Sequence, residues 1–238
     1  MKRFLLVPLV FVIVLLCSCG SSGTTKTAAV TTSSALPSTT ASGSKTSTTT
    51  TAVHLVLQTM GVTSYTDENG YYHLVGEVLN SGNSNMENIE IIATYYDASG
   101  TVIGTGNTDT ELYVLPVNTA TPFDVLEKIQ PATYQLTVQG DPTTDQPFPG
   151  LTIQNTATSI DDTGCYDITG QVNNSSANPA GEVKIIATYY DANKNVIGTA
   201  FVYTKDSEVE AGHITTFDLS SYPQQIQPAG YKLQIDAQ

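Results

Sequence analysis

The chain repeats itself at a spacing of 94 residues, and that repeat constrains the fold more than anything else in the sequence. Ile91-Ile92-Ala93-Thr94-Tyr95-Tyr96-Asp97-Ala98 returns unchanged as Ile185-Ile186-Ala187-Thr188-Tyr189-Tyr190-Asp191-Ala192. Val102-Ile103-Gly104-Thr105 returns as Val196-Ile197-Gly198-Thr199. The same register pairs Gly70 with Gly164, Tyr72 with Tyr166, Gly76 with Gly170, Val78 with Val172, Asn80 with Asn174 and Phe123-Asp124 with Phe217-Asp218. A three-residue insertion then moves the spacing to 97, matching Pro131-Ala132 to Pro228-Ala229 and Tyr134 to Tyr231. Eight identities in a row do not arise by chance, so the chain carries two homologous modules, expected at 53–139 and 151–238 with a linker at 140–150.

The copies also show which way the strands face. Tyr72, Leu74 and Val78 pair with Tyr166, Ile168 and Val172 at period two. Between them His73, Val75 and Glu77 become Asp167, Thr169 and Gln171, the alternation of a half-buried antiparallel strand with its polar side toward water. Ile89, Ile91, Ala93 and Tyr95, with Val183, Ile185, Ala187 and Tyr189, form a second inward row. Tyr134, Leu136 and Val138, with Tyr231, Leu233 and Ile235, form a third. Asp97-Ala98-Ser99-Gly100 and Asp191-Ala192-Asn193-Lys194-Asn195 are turn sequences. Asn118 aligns with Gly212, a pairing expected where the backbone is left-handed. Short strands at close spacing, no helical period and modules of about 85 residues predict an all-β protein of two tandem immunoglobulin-like antiparallel β-sandwiches.

The N-terminus supplies an address. Lys2 and Arg3 precede an apolar run, Phe4–Leu16, of 13 residues, too short for the roughly 20-residue helix that crosses a bilayer. This is the pattern of a secretory signal peptide, expected over residues 1–18. Leu16-Cys17-Ser18-Cys19-Gly20 resembles a lipobox, with Leu at −3, Ser at −1 and Cys19 as the lipidated residue. Two acyl chains at one thioether, each buried CH₂ contributing about 0.8 kcal/mol, anchor a protein without a membrane span. Residues 19–52 are dominated by Ser and Thr. They cannot bury enough apolar surface to offset ordering, and are expected to form a disordered tether of roughly 30 Å r.m.s.. The expected location is extracytoplasmic, on the outer face of the membrane.

With Cys17 removed and Cys19 acylated, Cys165 is left as a lone, inert thiol, and the fold must be held by packing. The formal charge is −13, from 9 basic and 22 acidic residues, which excludes nucleic acid as a partner because phosphate binding needs clustered cations.

The Gly-x-Val-x-Asn strands (Gly76, Val78, Asn80; Gly170, Val172, Asn174), followed by the Ala-Thr-Tyr-Tyr-Asp runs, resemble the FxLYD domain. The resemblance places Tyr96-Asp97 and Tyr190-Asp191 on that family's Tyr-Asp, Tyr95 and Tyr189 on its Leu, and Ala93 and Ala187 where Phe is usual. It implies a small β-sandwich in an exported protein, with no assigned catalytic residues.

Chemistry is sparse. His54, His73 and His213 have no histidine counterpart in the other copy, and no metal-binding, nucleophile-elbow or phosphate-loop motif is present. Asp67/Asp161, Glu68/Asp162, Asp97/Asp191 and Asp124/Asp218 recur, which favours turn and strand-edge roles over an acid–base pair, although the Asp67-Glu68-Asn69 and Asp161-Asp162 loops offer calcium-type oxygen ligands. No catalytic residue, metal or cofactor is expected. The outward row of the third strand differs from an ordinary solvent face. Ile92, Thr94 and Tyr96, repeated as Ile186, Thr188 and Tyr190, either form a recognition patch, with Ile92, Tyr96, Ile186 and Tyr190 as its contacts, or are covered by a loop, the neighbouring module or a tilted sandwich edge. The expected function is non-catalytic binding of an extracellular protein or cell-wall partner by a lipid-anchored protein. The alternatives are a purely structural spacer, or a calcium- or carbohydrate-binding module.

Overall fold

Fourteen antiparallel strands and no helix make up the described part of the chain. The computed structural model describes residues 56–162, 164–221 and 227–238. The leader, Cys19 and the tether therefore lie outside the described residues. In the first module β1 (Leu57–Thr66), β2 (Tyr72–Asn80) and β5 (Ala120–Glu127) form one sheet in the order β1-β2-β5. β3 (Asn85–Tyr96), β4 (Val102–Asp109) and β6 (Thr133–Thr143) form the other, in the order β4-β3-β6. The second module repeats this plan. Its sheets are β13-β8-β7 and β11-β10-β14, built from β7 (Leu151–Ile160), β8 (Tyr166–Asn174), β10 (Lys184–Tyr190), β11 (Val196–Tyr203), β13 (Ile214–Ser220) and β14 (Gly230–Asp236). A ribbon of β9 (Ala180–Gly181) with β12 (Glu208–Val209) closes one end. The architecture is two immunoglobulin-like β-sandwiches in tandem.

The inward rows read from the sequence are the cores. Leu74, Val78, Ile91, Ala93, Tyr95 and Phe123 are fully buried in the first, and Ile168, Val172, Ile185, Ala187 and Tyr189 in the second. In each module an inward tyrosine from the second strand meets the one from the third edge-on. Tyr72–Tyr95 lies at 6.0 Å and 86°, and Tyr166–Tyr189 at 5.8 Å and 81°. Gly76 and Gly170 are required because a phenylalanine ring lies across them. A Cβ at Gly76 would stand 2.8 Å from Phe123, and one at Gly170 would stand 2.6 Å from Phe217.

Turn chemistry follows the repeat as well. Asp97 Oδ1 accepts the backbone N–H of Ser99 at 2.8 Å and of Thr101 at 2.9 Å, while Asp191 Oδ1 accepts those of Asn193 and Asn195, both at 2.8 Å. Asn118 (φ 60°) and Gly212 (φ 77°) both adopt the left-handed conformation.

Two readings are corrected. β6 runs to Thr143, past the expected boundary at Gln139, because Asp141–Thr143 pairs with Asn85–Glu87 beyond a bulge. The connection between the modules is therefore the seven residues 144–150. The outward residues Val75 and Glu77 of β2 do not face water: they are 0% and 7% exposed, because β11 of the second module packs across the β1-β2-β5 sheet. The two modules belong to one compact unit.

Candidate functional site

The repeated outward strip has a different fate in each module. On β10, Ile186 and Thr188 are fully buried, and Ile186 joins the core cluster of the first module. The Tyr190 hydroxyl is hydrogen-bonded to Glu77; burial first, and then the Glu77 carboxylate, push its pKa far above the ordinary phenol value. Ile186 and Tyr190 were expected to contact an external partner. The structure places them at the joint between modules, Ile186 against the core cluster of the first module and Tyr190 against Glu77. On β3, Ile92, Thr94 and Tyr96 carry no such cover and remain partly exposed, with Tyr96 Oη donating to Gln135 Oε1 at 3.2 Å.

Polar contacts fix the joint. Lys232 Nζ reaches Glu77 Oε1 and the Ala120 carbonyl, the latter at 2.9 Å. Lys184 Nζ lies 3.6 Å from Glu111 Oε2 and 3.9 Å from Asp236 Oδ2, and also donates to the Glu111 carbonyl. Burial raises the Glu111 and Asp236 carboxyl pKa values despite that lysine between them. The Tyr113 N–H donates to Asp236 Oδ2 at 3.3 Å, and Thr63 Oγ1 donates to the Val196 carbonyl. At the bulge in β1, Gly61 (φ 58°) brings the backbone close to Val196.

The Gly-x-Val-x-Asn strands end in a role that the sequence did not disclose. Asn80 is fully buried, and its Nδ2 donates to the carbonyls of Ser84 at 2.9 Å and Leu115 at 3.0 Å, while Oδ1 accepts from Gly82 N at 3.1 Å. Asn174 repeats the arrangement with Asn178 and Val209, both at 2.8 Å, and with Ser176 N at 3.0 Å. Each asparagine ties the end of its strand to the turn that follows it and to a second backbone segment, at Leu115 or Val209. The sequence signal was its recurrence on an otherwise apolar face.

His73 is the one histidine of the first module within the described residues. Its Nδ1 lies 2.8 Å from Asp124 Oδ2, its Nε2 lies 3.9 Å from Asp67 Oδ2, and its ring stacks on Tyr65 at 4.4 Å. Burial opposes charge there, yet the hydrogen bond and charge of Asp124, aided by Asp67, hold the imidazole pKa above its ordinary value. Both ring nitrogens face carboxylates, which makes an ion cluster rather than a general base poised over a substrate. The stabilisation is whole below pH ~6.5, where the unfolded histidine is also charged, and fades as pH rises through the higher folded value. His73→Ala should therefore cost about 0.5–1 kcal/mol at pH 5.5 and measurably less at pH 8.5. Equal losses in urea melts at the two pH values would refute the coupling.

Of the other recurring carboxylates, Asp124 and Asp218 lie within β5 and β13, and Asp67 and Asp161 build turns as Asp97 and Asp191 do. Asp67 Oδ1 accepts from Asn69 N and Tyr71 N at 2.9 and 2.8 Å, and Asp161 Oδ1 accepts from Cys165 N at 3.0 Å. Among the described residues no group of three or more His, Cys, Asp or Glu side chains converges on a metal position. His213 is exposed at the turn after Gly212, and His54 lies outside the described residues.

No protein-family model matches the chain, and no curated protein matches it. Among solved structures, a red sea bream transglutaminase is similar at 11% identity with a TM-score of 0.27; the match covers 79% of this chain and 29% of that one. The chain thus spans less than a third of that protein's length.

Proposed function

We propose that this is an exported lipoprotein, anchored through Cys19, that binds a partner without catalysis through the β4-β3-β6 face of its first module. The observation that carries the reading is the unequal use of two identical strips. Ile186 and Thr188 are fully buried at the joint between modules, with Tyr190 beside them partly covered, whereas Ile92, Thr94 and Tyr96 all remain partly exposed. Tyrosine and isoleucine at the centre of a sheet face are suited to anchoring, since each offers a large apolar surface and the phenol adds a hydrogen bond. Leu16-Cys17-Ser18-Cys19 supports the anchor, and the resemblance to FxLYD modules of exported proteins supports the setting.

Two measurements test it. Mass spectrometry of the mature N-terminus should find a diacylglyceryl-modified Cys19; an unmodified cysteine, or cleavage elsewhere, removes the anchor from the reading. Crosslinking on intact cells should capture a neighbour that the Ile92→Asp/Tyr96→Ser double variant no longer captures while its melting temperature holds. Undiminished capture by that variant would move binding away from this face.

A further inference from the structure

We propose that copies of this chain join head to tail, the open β4-β3-β6 face of one seating on the open β13-β8-β7 face of the next, in the geometry that already joins the two modules within one chain. The inference rests on the reading of the β3 strip as a binding face, and it names the occupant.

The joint has two sides, and each has an unused equivalent in the other module. The side contributed by β10, β11 and β14 has its equivalent on β3, β4 and β6. The side contributed by β1, β2 and β5 has its equivalent on β7, β8 and β13. Equivalence holds in the backbone as well as in the sequence: Glu111 N bonds to the Pro122 carbonyl, and Lys205 N bonds to the Thr216 carbonyl. On the unused β13-β8-β7 side lies an open groove of about 610 Å³ walled by Asn155, Thr169, Gln171, Lys205, Thr216 and Asp218 among others. These are the positions of Gly61, Val75, Glu77, Glu111, Pro122 and Asp124 in the first module, among which Gly61, Glu77 and Glu111 meet Val196, Lys232 and Lys184 of the second.

Charge then tells which occupant fits. Within the chain, Lys184 meets Glu111. At the position of Lys184 the open strip carries Glu90, and at the position of Glu111 the open groove carries Lys205. The ion pair is preserved with its polarity reversed. Glu90 is already oriented, accepting from Asn107 Nδ2 at 2.7 Å and Gln139 Nε2 at 2.6 Å, and it makes no ion pair among the described residues. Lys205 is exposed and makes none either. Within the chain, Lys232 meets Glu77; between chains the same positions hold Gln135 and Gln171, uncharged amides whose oxygens already accept from Tyr96 Oη and Asn155 Nδ2 and whose N–H groups bring no like charge to the contact. Ile92 stands in the place of Ile186, and Thr169 in the place of Val75. Val102, 54% exposed, stands in the place of Val196, which is fully buried.

Such a contact is heterologous. Each copy offers one strip and one groove, so association extends instead of stopping at a pair. Inside the chain the short linker holds the modules at millimolar effective concentration, so the shared geometry does not demand high affinity. Between chains the dissociation constant is expected on the order of 10–100 µM, in the range of small, wet interfaces.

The test is sedimentation velocity of the detergent-solubilised mature chain over a range of concentrations. All variants carry the same anchor, so differences between them report the faces. The wild-type chain should gain mass progressively with concentration. Glu90→Lys puts lysine on both faces and Lys205→Glu puts glutamate on both, so each alone should weaken association about tenfold or more, as like charges meet. Mixed one to one, the two variants are complementary again at both contacts, and association should return to within about threefold of wild type. If either variant melts early, Glu90→Gln and Lys205→Gln should still weaken association, by about threefold, since the attraction is lost without a repulsion being added. A chain that stays monomeric, or association indifferent to both variants and to their mixing, overturns the proposal. If self-association fails while the Tyr96 variant still loses its neighbour on cells, the self-stacking falls and the binding-face reading stands. If capture also survives in that variant, both fall.

Discussion

Ile186→Asp is expected to uncouple the two modules, whereas Ile92→Asp, the same change on the same strand position of the other copy, is expected to do little. At Ile186 the carboxylate would sit in a site with no solvent access. A buried unpaired charge is costly enough that the joint opens instead. The loss is then capped by the free energy of docking, about 3 kcal/mol or more when a fully buried isoleucine, the Lys232–Glu77 contact and the Lys184 cluster separate together. The second module keeps its own core, because Ile186 points away from it. Denaturant melts should split from one transition into two. Ile92→Asp, at a partly exposed site, should stay within about 0.5–1 kcal/mol of wild type. If both substitutions have the same small effect, the modules do not dock as described.

The second large effect concerns the buried asparagines. Asn80→Ala should cost about 2–4 kcal/mol, and Asn174→Ala a similar amount. Each removes three hydrogen bonds, one of them the fully buried bond to the Leu115 or Val209 carbonyl, and leaves an apolar gap at a site the asparagine fills completely. Aspartate in the same place should be no better, since it cannot donate to the carbonyls. Chemical denaturation of the single variants decides the matter. A loss under about 0.5 kcal/mol would mean that water replaces the amide.

What was legible in the sequence was what the two copies share. Residues alternating at period two, such as Tyr72-Leu74-Val78 with Tyr166-Ile168-Val172, face the core in both modules because a sandwich can bury only one side of each sheet by itself. Asp97 and Asp191 build turns in both, since the side chain closes its own loop locally and needs nothing distant. The joint was not legible by that route. Comparing copies treats differences as marks of solvent, and by that logic Val75 against Thr169 and Glu77 against Gln171 placed the outer face of β2 in water. The interface lies in those differences: Val75, Glu77 and Glu111 on one side, Lys184 and Lys232 on the other, each without a like residue in the opposite copy. A sequence repeat reveals a fold by its identities and a docking surface by its asymmetries. For Ile186 and Tyr190 the strand period marks an outward apolar strip, which a neighbouring module or an external partner can cover equally well, and it cannot say that the two copies would differ.

The covering of β2 by β11 also bears on birth order. A ribosome completes residues of the first module before those of the second, at about 5–20 residues per second, so the first sandwich exists for several seconds without its neighbour. During that interval Val75 and Ala120 are uncovered, Glu77 has no lysine, and the Gly61 bulge faces solvent. The nascent protein therefore carries a sticky, acidic flank that only its own later sequence can seal. Truncation after the linker would leave that flank open for good. The second module is thus the finishing layer of the first, and the chain matures only when its last strand, bearing Lys232, has been delivered.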